Sequence, residues 1–540
     1  MSEADFPGCA SIAHRLANLL LVTDYFSMGC RMAEGTRAAV SDVRADRALR
    51  LDRRFLLFTL LAAMLFSWPM LAFGRPGYIQ DSAAYYKGGR AAVSYALAKL
   101  ERPVVPATSA QPGQQSGSSA QQPEDAAKEA SGARSITYSV AAYILSAPRG
   151  SLVLLAFAQA LAVGIITVAT LGAFGGLPAR RTTAALVALA GTTTVAPVTS
   201  LVIPDIFAGL LIASMVLLTA VPSRLSRGVR LLCVGIAAFA VTAHASHIPL
   251  ATGLTVLGLG WLAIGRYRDR PVPHWTWAWV VAPLLIGGLT TLAVNRIGFG
   301  EASLTAKRYP FTLARSINNG PGRWYLEKHC PQLTYTICKL YPNGLPKGGA
   351  LEFLWGKDGV VNRATPAQMD RIRDEESEVV LAAAREYAGY EVRKLTFNFA
   401  RQLISFRPAH YVDQLVVDRT GTPQLVRVSH YDPGILRAIR ILTALSAAIG
   451  LILLCWAFLQ KRSFRPVIAF LFLGILGNAA TCVLFSALAG RYQARVVWLI
   501  PLFALALCGP LLGRRSAGIE GRAKTRHGGR EERPSVPATS

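Results

Sequence analysis

Charge is scarce in this sequence. Asp, Glu, Lys and Arg together make up only 16% of it, while 52% is hydrophobic. A soluble domain carries about a quarter charged residues, and the apolar residues here fall in blocks rather than in helical or alternating stripes. Acid is scarcest: 31 Asp and Glu against 57 Lys and Arg leave a formal charge of +26. That excess is not gathered into one patch, so a nucleic-acid partner is not expected. It lies in short clusters between apolar blocks, which is a topology signal. No cleavable signal peptide is expected either, because the first apolar run lies behind about fifty mostly polar residues. Met28 or Met32 is a possible alternative start.

Several blocks reach the roughly 20 residues needed to cross a bilayer. Hydropathy and loop charge give about ten spans, near 55–74, 151–175, 183–201, 206–221, 231–246, 248–265, 276–295, 436–459, 466–487 and 496–513. The clusters Arg180-Arg181, Arg224/Arg227/Arg230, Arg266/Arg268/Arg270, Lys461/Arg462/Arg465 and Arg514-Arg515 fall at every second boundary. With the N-terminus inside, all are cytoplasmic, as the positive-inside rule requires. The expected fold is therefore mainly α: a polytopic α-helical membrane protein with interfacial helices and a mostly helical outer domain. The stretch 183–201, rich in Thr and carrying Pro197, is expected to be a broken or re-entrant helix.

The chain divides into a basic cytoplasmic arm (1–54), an N-terminal membrane domain (55–295), an outer domain (296–435), late spans (436–513) and a disordered cytoplasmic tail (514–540). The first outer loop, 75–150, holds a Pro/Ser/Gln/Ala tract, about 103–134, that cannot build a core and is expected to be disordered. Its end, SITYSVAAYILSA, reads as an interfacial helix. In the outer domain, Thr365 can cap and Pro366 can open one long helix running to Phe406, and no comparable strand run stands out.

Cysteine is sparse too, with eight in all. Cys9 and Cys30 lie in the arm, and Cys233, Cys455, Cys482 and Cys508 fall in or at spans. Only Cys330 and Cys338 lie in the outer domain, and an isolated pair in an oxidising compartment suggests a disulfide over two free thiols.

Ionisable residues gather at the outer membrane boundary. Asp81 follows the first span, in GRPGYIQDSAAYYKGGR; Asp205 opens the fourth, in VIPDIFAGL. His244 and His247 occupy the turn in HASHIPL, and Arg491 and Arg495 open the tenth span in GRYQARVVWL. Charges at such depths are expensive and default to functional hypotheses. Arg491 and Arg495, four apart on one helical face, suit a phosphate. Each residue also has a plainer role: Asp81 and Asp205 as helix caps, the histidines in hydrogen bonds to loop backbone or substrate, and Arg491 as a lipid-headgroup anchor.

An Asp-Ser pair with tyrosines just after span one resembles the GT-C superfamily of membrane glycosyltransferases. PDIFAGL is similar to the second acidic position of that superfamily, and GRYQAR to its phosphate-contacting element. The layout from about 55 to 513 matches as well. The resemblance implies an enzyme of the bacterial inner membrane with both termini cytoplasmic and a periplasmic active site. It implies a sugar donor carried on polyprenyl phosphate and an envelope glycan, lipid or protein as acceptor. Asp81 would be the inverting general base. Arg491, Arg495 and Tyr492 would hold the donor phosphate. Tyr85, Asp205, His244 and His247 would position substrate. A divalent cation (Mg, Mn or Zn), if any, would fall to Asp81 and Asp205, although Asp81-Ser82 stands where a paired-acid motif would be. Two alternatives remain open: an O-antigen ligase or polymerase using polyprenyl diphosphate, which would not need Asp81, and a lipid or sugar transporter, for which Asn478 is the clearest mid-span polar residue.

Overall fold

The computed structural model describes residues 48–101, 134–146, 151–267, 275–408, 413–417, 423–427 and 433–509. Most of the basic arm, almost all of the Pro/Ser/Gln/Ala tract, the tail, and the clusters Arg268/Arg270 and Arg514-Arg515 lie outside them. The protein is an α-helical, multi-pass membrane protein. Among the described residues six helices are long and apolar enough to cross a bilayer: Val153–Gly175, His247–Gly265, Trp275–Phe299, Gly434–Gln460, Arg462–Phe485 and Arg491–Gly509.

The other four expected spans are helical but short or interrupted. The first is α1 (Arg53–Phe66) followed by α2 (Trp68–Ala72). The Asp52 carboxylate caps α1 by accepting the Phe55 N–H, and the break falls at Ser67, just before Pro69. Next come α3 (Gln80–Glu101), α4 (Ile136–Ile144) and the long α5 (Val153–Gly175). The Thr-rich stretch is broken, as α6 (Ala179–Thr192) and α7 (Val195–Thr199). A 3-10 turn, Pro204–Ile206, then leads into α8 (Phe207–Ala220), and α9 covers Arg227–Ala243. Proline explains the breaks, since it removes a donor and clashes with the preceding turn.

Those interruptions build the end of the bundle that carries Asp81 and Asp205. Gly77 donates its N–H to the Ser200 carbonyl and accepts from Val202 N–H, both at 2.9 Å. The Ser82 hydroxyl donates to Val202 O at 2.9 Å. The segment that carries Asp81 is thus stapled to the strand-like segment just ahead of Asp205. Behind the staple, the Gln159 amide donates to Thr199 O and Leu201 O, and its oxygen accepts from the Tyr138 hydroxyl, all at 2.8 Å.

After α10 (His247–Tyr267) and α11 (Trp275–Phe299), the outer domain has its own core around Leu313, Leu326, Ile337, Phe353, Met369 and Ile372. Its helices are α12 (Phe311–Asn319), α13 (Pro321–His329), α14 (Thr336–Leu340), α15 (Ala350–Trp355), α16 (Val360–Arg363), α17 (Pro366–Glu386) and α18 (Ala388–Ile404). A disulfide joins Cys330 to Cys338, tying the end of α13 to α14. Thr365 caps α17 in a reciprocal capping box with Gln368, with Pro366 at the first position. The expected single helix here is two, because the chain breaks at Tyr387 (ψ 37). The absence of strands is also corrected: β1 (Asp413–Val417) pairs antiparallel with β2 (Pro423–Arg427), Leu415 opposite Leu425. The late spans are α19 (Pro433–Gln460), α20 (Arg465–Phe485) and α21 (Arg491–Val497), the last running on to Gly509 past a turn at Trp498.

The outer domain is fastened to the head of α21. The Gln402 side chain donates to Ala489 O at 2.9 Å and accepts from Ala489 N–H at 3.2 Å; Arg407 N–H donates to Gly490 O at 3.2 Å.

Candidate active site

Two acids from distant parts of the chain meet the arginines of α21. Asp205 Oδ1 accepts from Arg495 Nη1 at 3.2 Å, and its Oδ2 lies 3.9 Å from Arg491 Nε. Asp81 Oδ2 accepts from both Arg491 Nη1 and Nη2 at 3.4 Å. Close approach of α8 and α21 makes the lower pair possible. A Cβ built at Gly209 would lie 2.6 Å from the Arg495 carbonyl oxygen, so only glycine fits there.

The two arginines differ in exposure. Arg495 is 1% exposed, whereas the Arg491 and Asp81 side chains are 28% and 25% exposed. Arg495 is fully engaged from below: its Nε and Nη2 donate to Asn478 Oδ1 at 3.1 and 2.8 Å, and Nη2 also meets Ser246 Oγ and Cys482 Sγ. Asn478 in turn donates to the Tyr492 carbonyl at 2.8 Å. The mid-span asparagine therefore holds an arginine in place. Tyr492 sits with its ring 5.1 Å from both guanidinium carbons, a cation–π spacing, and its hydroxyl meets Ser486 Oγ at 3.0 Å. It supports the arginines from the side.

Arg134 was expected to end the disordered tract, yet it stands in this site. Its Nη2 bonds Asp81 Oδ1 at 2.5 Å, with 24% of its side chain exposed. Asp81 thus lies between two guanidinium groups, and among the described residues its hydrogen-bond partners are these arginines and no backbone amide, as a cap would have. Burial pushes its carboxyl up, but Arg134 and Arg491 outweigh that and hold it below the usual carboxylate range. Nor does Asp205 cap a helix among the described residues: its Oδ1 accepts from Arg495 and its Oδ2 has no hydrogen-bond partner.

The histidines lie alongside, with rings 5.3 Å apart. His244 Nδ1 accepts from Ser246 N–H at 3.1 Å, which leaves the proton on Nε2. Burial, then Arg495, Arg491 and Arg134, push its pKa down to about 3, so the ring is neutral. His247 Nδ1 donates to Ala240 O at 2.7 Å, since a carbonyl only accepts. Its Nε2 is then a lone-pair acceptor, and both that atom and Asp205 Oδ2 are buried without a hydrogen-bond partner. Tyr85 is buried with its ring edge-on to Tyr138 at 4.8 Å. Burial, chiefly, raises its phenol well above the ordinary value. The structure thus brings Asp81, Asp205, His244, His247, Arg491, Arg495, Tyr492 and Tyr85 together. Cys330 and Cys338 belong to the outer domain's core.

A divalent cation does not fit this donor set. Both carboxylates face guanidinium groups, and among the described residues no group of three or more His, Cys, Asp or Glu could hold a metal. Sequence reasoning missed Arg134, Ser246 and the bracing role of Asn478. A signal for Arg134 existed: a cation directly ahead of a helix start, at Ser135, sits at the wrong end of the dipole and needs a partner elsewhere. No family model, curated protein or solved structure matches the chain.

Proposed function

We propose that the chain is an integral membrane glycosyltransferase of the GT-C type. It moves a sugar from a polyprenyl-phosphate donor to an envelope acceptor on the periplasmic face of a bacterial inner membrane. The topology that goes with this reading has about ten spans, counting the four short or broken helical segments, with both termini inside.

One observation carries the reading. A partly exposed carboxylate, Asp81, lies beside a partly exposed guanidinium, Arg491, next to a buried Asp205–Arg495 pair that fixes the helix carrying both arginines. Among the described residues three arginines face two aspartates here, so the cluster has one cation to spare for an anionic donor. Arg491 would leave Asp81 for the donor phosphate and stabilise the charge that grows on it as the glycosidic bond breaks. Asp81 would take the acceptor hydroxyl proton as that oxygen attacks the anomeric carbon in line, which inverts it. Phosphate departs without a strong general acid.

A second reading has an observation of its own. His247 Nε2 is an unpartnered acceptor beside Arg495, which suits an O-antigen ligase-like enzyme with a histidine base. The deciding experiment is mass spectrometry of envelope glycans and lipids from a deletion strain. Loss of one sugar from a glycolipid, glycan or protein supports monosaccharide transfer. Loss of a whole polymer favours the ligase, and an unchanged envelope refutes both.

A further inference from the structure

Beside Asp81 lies a cleft that the donor chemistry does not use. It opens between α4, the outer end of α11 and the segment 301–308, and its polar walls include Arg134, Thr137, Asn295, Thr305 and Arg308. No acidic residue lines it, and its remaining walls are apolar, with Val241, Ile248, Val294 and Phe299 among them. Two arginines in a cleft with apolar walls suit an anionic group on an apolar chain. Arg308 is braced by Glu376, whose other oxygen accepts from Leu313 N–H at 2.8 Å. The neighbouring Lys307 has φ 55, the only positive φ outside glycine among the described residues. Its ammonium is held by both Asp370 oxygens at 3.1 Å. Such strained backbone clusters at ligand clamps, where surrounding contacts over-determine it.

Arg134 links the cleft to the reaction. It lines the cleft and holds Asp81 Oδ1. A carboxylate clasped by two guanidiniums is a poor proton acceptor, and the donor phosphate would relieve it of only one. We propose that the cleft is the acceptor site, that it takes an amphiphile bearing a phosphate or carboxylate, and that this oxyanion draws Arg134 off Asp81, freeing the base only when an acceptor is in place. The acceptor role rests on the glycosyltransferase reading; the anion cleft does not.

The test uses full-length protein in nanodiscs and two pairs of water-soluble probes. Octyl glucuronide is compared with octyl glucoside, and dihexanoyl phosphatidylglycerol with dihexanoyl phosphatidylcholine. One or both anionic probes should bind and the neutral partners should not; the one that binds assigns carboxylate or phosphate. Arg134→Ala and Arg308→Ala should each weaken binding about tenfold or more, the cost of a lost charge-assisted hydrogen bond. Arg308→Lys keeps a cation for Glu376 and guards against misfolding; it should weaken binding less. Saturation with the anionic probe should also raise carbodiimide labelling of Asp81. Equal binding of charged and neutral probes would overturn the cleft. So would binding that falls with Arg491→Ala but not with Arg308→Ala, which would put the anion at the donor grip. Full binding without a change at Asp81 would overturn the exchange. If probes bind as described but no sugar is transferred from a polyprenyl-phosphate donor, the glycosyltransferase reading fails while the cleft stands.

Discussion

Arg491 and Arg495 lie four residues apart on one helix and meet different surroundings, so their substitutions should separate. Arg495→Met takes from the buried Asp205 its hydrogen-bonded partner and leaves it only the 3.9 Å approach of Arg491 Nε; breaking a buried pair costs about 3–5 kcal/mol. That variant should fail to accumulate as a monodisperse species in size-exclusion chromatography. Arg491→Lys, at the partly exposed position, should accumulate normally but bind donor weakly, because lysine keeps the charge and loses the two-pronged grip. For Asp81→Asn the expected outcome is retained donor binding with transfer slowed about a hundredfold or more; near wild-type transfer would hand the role to His247. His244 supplies a pH dependence. In the unfolded chain its imidazole takes up a proton near its ordinary 6.5, in the folded protein only near 3. The unfolded state therefore binds more protons in that window, and stability falls as pH drops through it. Thermal unfolding at pH 7 and pH 4.5 should show a drop that shrinks in His244→Asn.

Helix α4 is placed by what α3 omits. A Cβ at Gly89 would lie 2.0 Å from the Ser139 carbonyl oxygen, whereas one at Gly88 would make an ordinary 3.4 Å contact with Ser139 Oγ. Gly89→Leu should push α4 away and carry Arg134 off Asp81, while Gly88→Ala should be tolerated. Transfer rate and probe binding measured on the two variants side by side would show it. At this scale much was legible in the sequence. Apolar runs and capping residues marked the long helices, and Thr365-Pro366 marked the start of α17. What was not legible depended on distance along the chain. The Gly77 staple joins segments more than a hundred residues apart, and Arg134 reaches Asp81 across a separation of 53. Neither leaves a local pattern. Asn478 was visible as an anomaly, but its purpose lay in another helix. The short hairpin of β1 and β2 was hidden because strands of five residues, DQLVV and PQLVR, are too short to show an alternation.

Across the whole molecule the site requires one sidedness. A periplasm-dependent reporter fused after Ala350 should be active and one fused after Arg270 silent; the reverse at either point would undo the functional reading. The long reach of the Asp205–Arg495 pair has a further consequence, for biosynthesis. The two residues are 290 positions apart, and at about 5–20 residues per second the ribosome needs on the order of 15–60 s to travel between them. Throughout that interval the nascent chain holds an acid at the edge of the bilayer with no cation to neutralise it. Asp205 must wait in contact with water until the last span arrives. The newborn protein thus passes through a vulnerable half-made stage that ends when Arg495 on α21 reaches Asp205.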